Sequence, residues 1–80
     1  MPRFHLELSA PDGPTLLDRQ GVTLPTLEFA KVEANMVIRA ALKDAKLARA
    51  CSGWIAIIRD ADGAELAVIP FREVAGLNAA

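Results

Sequence analysis

The stretch TLEFAKVEANMVIRAALKDAKLARACSG, residues 26–53, runs without glycine or proline until its last residue, and its reading decides the fold. The Thr26 hydroxyl stands where it can accept a bond from an orphan amide of a first helical turn, and Glu28 suits the positive end of the dipole. Leu24 and Pro25 lead in. Gly53 is a natural left-handed stop at the far end, with Lys46 and Arg49 near the negative pole. The pattern predicts one helix over residues 27–51.

Two apolar stripes run along it. Leu27, Ala30, Ala34, Val37, Ile38, Ala41, Ala45 and Ala48 recur at spacings of three and four, the face expected to pack on a sheet. Nearly opposite lie Phe29, Val32, Met36, Ala40 and Leu47. A surface helix covering one sheet needs only the first stripe. Length points the same way: about 24 helical residues span roughly 36 Å, whereas strands of six residues span only ~20 Å. The second stripe is therefore expected to meet another subunit rather than to hide under loops.

Outward from the helix, the chain alternates in strand fashion. Residues 3–8 put Phe4, Leu6 and Leu8 on one side and Arg3, His5 and Glu7 on the other. The turn formers of SAPDGP, residues 9–14, lead to a short return strand at 15–18; its two prolines argue against a two-residue hairpin. The approach to the helix, DRQGVTLPTLEFA at 18–30, has a structural role at every position, with Gly21 for the turn and Leu24 and Leu27 for the core. Beyond Gly53, residues 54–59 form a strand rich in branched side chains, Asp62-Gly63 a hairpin turn, and residues 64–71 a fourth strand that Pro70 places at an edge or an end. The tail at 72–80 is expected to add a loose turn through Val74 and Leu77 and to fray.

The expected fold is α+β: two β-hairpins flanking one long amphipathic helix (ββαββ), a four-stranded antiparallel sheet with the helix on one face, in a single domain over 1–80. Strand order stays open. If Trp54, Ala56 and Ile58 face the helix, Ile55 and Ile57 face away, beside His5 on the first strand or Ile69 on the fourth.

Composition supports association. Apolar residues make up 52% of the chain; with its five glycines the figure is about 58%, against a usual ~45–50%. A chain of eighty residues buries only roughly 60–65% of its unfolded surface, leaving little room for this surplus. Cys51 is the one cysteine and His5 the one histidine, so neither an intrachain disulfide nor a zinc site is expected. No signal peptide or membrane span is read, and a cytoplasmic setting is expected.

Short motifs carry a resemblance. Met1-Pro2-Arg3-Phe4, then Asp18, Gly21, Leu24-Pro25, Leu27-Glu28 and Ala30, then Ile57, Arg59-Asp60 and Asp62-Gly63 stand in an order and spacing that resembles a family of short, uncharacterised bacterial proteins, a domain of unknown function. The likeness runs from Met1 to about Phe71. It implies a small cytoplasmic protein and offers no catalytic residues to transfer. Thr26 stands where that family usually has Asp, Phe29 where it usually has Ala, and Ile55 and Ile57 where members tend to be polar. The apolar departures fall on the two surfaces singled out above.

Candidate chemistry is sparse. His5 shares a polar row with Arg3 and Glu7, with no partner or pocket visible for a general base. Cys51 lies in the last helical turn, where the dipole disfavours a thiolate, and reads as a packing residue. The run Asp60-Ala-Asp62-Gly63-Ala-Glu65 carries too few ligands for a calcium loop and is sufficient as a hairpin. Lys31, Arg39, Lys43, Lys46 and Arg49 share one helix flank that could attract nucleic acid or an acidic partner. Against that stand a net charge of −1 and the absence of interleaved aromatic residues. The expectation is a non-catalytic homodimeric interaction or regulatory module without cofactor or metal, using Phe29, Val32, Met36, Ala40, Leu47, Ile55 and Ile57. The alternative is nucleic-acid or acidic-partner binding through the basic flank.

Overall fold

The computed structural model describes residues 2–13, 15–18, 20–50 and 53–78, and their side chains except at 47, 48 and 75–78. The fold is α+β, one antiparallel sheet of five strands with helices on one face. In chain order the elements are β1 (Arg3–Ser9), β2 (Thr15–Leu17), β3 (Val22–Thr23), α1 (Leu27–Leu42), α2 (Ala45–Ala50), β4 (Ile55–Arg59), β5 (Glu65–Pro70) and α3 (Phe71–Asn78). The strand order is β2-β1-β4-β5, with β3 also on β1.

Register follows side-chain alternation. Leu6 stands opposite Ile58 and Leu8 opposite Ala56 between β1 and β4, and Ala56 opposite Ile69 between β4 and β5. All five share the face under the helices. Two linked clusters fill that space: Phe4, Ala30, Ala34 and Ile58 at one end, and Ile38, Ala56, Phe71 and Val74 at the other. The alanines of α1 let the helix approach the sheet closely, and Ile38 fills the middle.

The structure departs from the expected layout in three places. The first is an edge. β2 pairs Glu7 with Leu17 and Ser9 with Thr15, whereas β3 pairs Phe4 with Val22 and Arg3 with Thr23. The carbonyls of Pro2 and Leu6 lie an even number of residues apart and point to the same edge of β1; they accept from the Leu24 and Asp18 amides at 3.1 and 2.9 Å. β2 and β3 are thus one edge strand interrupted by a bulge, and the four-strand expectation missed its second half.

The second departure is in the helix. The expected 27–51 span is two helices that part at Lys43 and Asp44. The Lys43 amide closes α1 on Arg39 O at 3.1 Å, and Asp44 Oδ1 accepts from the Lys46 amide at 2.9 Å. A short acidic side chain competes with the backbone for this amide, which favours a cap over continued helix. The cap at the start is as expected: Thr26 Oγ1 accepts from the Phe29 amide at 3.4 Å. Cys51, placed at the helix end by the sequence, lies outside the described residues.

The third departure is the tail. Where a loose turn was expected, α3 docks through Phe71 and Val74, both buried. The Phe71 amide donates to Trp54 O at 3.0 Å, and the two rings pack with centroids 6.4 Å apart. Pro70 ends the edge strand and leads into this helix, as its missing N–H favours.

Candidate protein interface

The capped start of α1 and its alanine face fix which side chains turn outward. Ala30, Ala34 and Ile38 are buried, and Leu27, Ala41 and Leu42 pack on the clusters. On the opposite side Phe29 is 55%, Val32 56% and Met36 59% exposed, and Ala40 is exposed with them. The second stripe read from sequence is therefore a surface, not a set of residues tucked under loops. Leu47 was assigned to the same stripe; its side chain lies outside those described. Val37 was assigned to the buried stripe and is exposed, at the border between the two faces. Ala45, also placed in the packing stripe, lies beyond the break at Lys43 and is exposed.

Val37 borders a small cleft. A cavity of about 150 Å³ opens between α1 and the bulged edge, lined by Phe4, Leu6, Val22, Ala30, Ala34, Val37 and Ile58 with His5, Asp18 and Glu33 at its polar side. Two of these polar groups hold the bulge itself. Asp18 Oδ1 accepts from the Gln20 and Gly21 amides, each at 3.1 Å, and His5 Nδ1 donates to Asp18 O at 2.8 Å. Arg3 donates from the same strand face to Gln20 O. The polar row Arg3-His5-Glu7 of the sequence is thus on the outer sheet face, and two of its members tie down the edge.

Glu7 does the same work at the centre. Opposite it on β4 lies Ile57, and opposite Ile57 on β5 lies Val68. Ile57 faces away from the helices as expected. Its neighbours there are Glu7 and Val68, not His5 or Ile69; Ile69 pairs with Ala56 and points to the core. Ile57 is only 7% exposed, because a central strand lets flanking side chains close over it. Ile55 is half-buried. The Arg59 guanidinium lies 3.4 Å from Glu7 Oε2 across this face and also donates to Gly63 O at 3.0 Å.

The sequence reading missed Leu17, Leu66 and Val68 on the outer face, all exposed. The three residues of β2 are too few to show alternation, and a register irregularity between Ile58 and Arg59 shifts β5, so its facing could not be counted from the hairpin. The Asp60 carboxylate, considered above as part of a calcium loop, instead accepts from the Asp62 and Ala64 amides at 2.9 Å each.

The basic flank is divided by the helix break. Lys31, Arg39 and Lys43 belong to α1 and its cap, Lys46 and Arg49 to α2. Lys31 lies 3.6 Å from Glu28; the pair is exposed. No helix among the described residues is long and apolar enough to cross a membrane, and no described group of three or more His, Cys, Asp or Glu could hold a metal ion.

Comparison with known families places the chain. The model described as Domain of unknown function (DUF6894) matches residues 3–72, spanning every strand, α1, α2 and the start of α3. The chain belongs to this family. The resemblance read from the sequence motifs thus holds at family level. No curated protein and no solved structure matches.

Proposed function

We propose that the chain is a non-catalytic homodimeric module for protein interaction or regulation. The observation that supports this reading is the row Phe29, Val32 and Met36, three large apolar side chains each more than half exposed on one face of α1. Single exposed apolar residues are ordinary on a surface, but a contiguous row on a chain this small favours a partner. The layout that serves this role is a ββαββ frame, two hairpins either side of α1, to which β3 and α3 are additions.

The test is the molar mass in solution by light scattering over a wide range of protein concentration. The mass should rise from the 8.6 kDa of one chain toward twice that value. A mass that stays at one chain at every concentration overturns the homodimer.

A further inference from the structure

Two apolar surfaces compete for the dimer contact, and their exposed charges separate them. On the outer sheet face Leu17 and Val68 stand at opposite margins, with Glu7 and the covered Ile57 between them. Leu66 joins Val68 on the β5 margin, but Glu7 stands between that pair and Leu17, and the charges at the centre, Glu7 and Arg59, already pair with each other. On α1 the exposed apolar groups Phe29, Val32 and Met36 form one row, and the charges beside them have no such arrangement within the face. Reading along the exposed side of that helix gives Glu28, Phe29, Val32, Glu33, Met36, Arg39, Ala40 and Lys43, at about 100° per residue all within one half of the wheel. Both acids precede Met36 and both bases follow it.

We propose that a second copy of this chain covers this face, with the two α1 helices antiparallel about a two-fold axis between Glu33 and Met36. The proposal rests on the dimer reading above and says which surface carries it and in what orientation. An isologous contact sets each patch against itself reversed. Reversal brings Glu28 of one copy within a turn of both Arg39 and Lys43 of the other and Glu33 within a turn of Arg39, with the two Glu33 flanking the axis, and the two helix dipoles also oppose. It sets Phe29 against the small Ala40 and Val32 beside Met36, large side chains meeting small ones. A parallel pair would instead stack Glu33 on Glu33 and Arg39 on Arg39. The seven-residue steps from Phe29 to Met36 to Lys43 suit the shallow ~20° crossing of helices packed along a heptad seam.

The test uses two charge-reversed forms of the full chain, each first checked for native circular dichroism. One carries Glu28→Lys with Glu33→Lys, the other Arg39→Glu with Lys43→Glu. Each alone faces like charges across the axis and should dimerise about a hundredfold more weakly than the unaltered chain. Mixed in equal amounts they should recover a two-chain mass near the original concentration range. If each form alone dimerises as the unaltered chain does, the contact lies elsewhere and the proposal fails. If both are monomeric and the mixture stays so, the helices are not antiparallel, and again it fails. An unaltered chain that is monomeric throughout would instead overturn the homodimer itself.

Discussion

Substituting Met36 by Asp separates an interface from a core more sharply than any other single change. Met36 is 59% exposed in the monomer, so the fold has little to lose there. Asp in place of Met mid-helix costs about 0.5 kcal/mol of helix propensity, which a native domain tolerates. In a dimer the same side chain becomes covered. Full burial of a Met is worth about 1.5–3 kcal/mol, and the exposed part of it here about 1–2. Because the axis repeats the loss in both copies, the dimer forfeits about 2–4 kcal/mol before the new carboxylates are counted. Two uncompensated charges near a two-fold axis add a further penalty of at least ~1–2 kcal/mol. The sum, about 3–6 kcal/mol, corresponds to a dissociation constant raised by roughly a hundred- to ten-thousandfold, at 1.4 kcal/mol per tenfold. Sedimentation or light scattering reads the association, and urea denaturation followed by circular dichroism reads the fold. The reasoning is refuted by either of two results: a variant that dimerises as before, or one that has lost its native dichroism, which would make Met36 a core residue.

Two further changes probe the frame. Gly21 has φ +73°, and a Cβ there would meet Phe4 O at 2.7 Å and His5 Cε1 at 2.8 Å, so Gly21→Ala should cost about 2–4 kcal/mol in urea denaturation. Gly63, at φ +88° with open space around it, should cost only about 1 kcal/mol when changed to Ala, and equal costs at the two sites would refute the steric argument. Phe71→Ala removes a side chain 1% exposed at the junction of β5 and α3 and should cost about 3–5 kcal/mol. Its loss should also shift Trp54 fluorescence to the red; an unshifted spectrum with unchanged stability would mean that α3 does not dock through this ring.

The sequence was legible wherever one residue type left a chain only one option. Alternation from Arg3 to Leu8 and the outward turn of Phe29, Val32 and Met36 are periodicity arguments, the Thr26 cap is one of hydroxyl chemistry, and each describes the structure. The misses have a common cause in local polar competition. Asp44 takes the Lys46 amide and splits the helix; Asp18 takes those of Gln20 and Gly21 and splits the edge strand. Neither carboxylate breaks the apolar pattern around it, so a reading based on hydrophobic spacing passes over both. The docking of α3 was hidden differently. Only Phe71 and Val74 of that segment reach the core, and two apolar residues three apart are too few to separate a helix from a turn.

The distribution of size along α1 is the step that joins fold to proposed function. Facing the sheet at the Phe4 end are Ala30 and Ala34, while Phe29, Val32 and Met36, all larger, face away. If burial within one chain were the only demand, the large residues would lie inward, where each methylene is worth about 0.8 kcal/mol. Small residues inward bring the helix close to the sheet and keep the core thin, which a five-stranded sheet of short strands can fill. The apolar area left over is then outside, on the face whose charges run from acid to base. A helix that turns Ala30 and Ala34 to the sheet and Phe29 and Met36 to solvent gains from the larger pair only when something covers them. A second copy of the same helix, reversed, meets that requirement and sets Glu28 against Arg39 and Lys43.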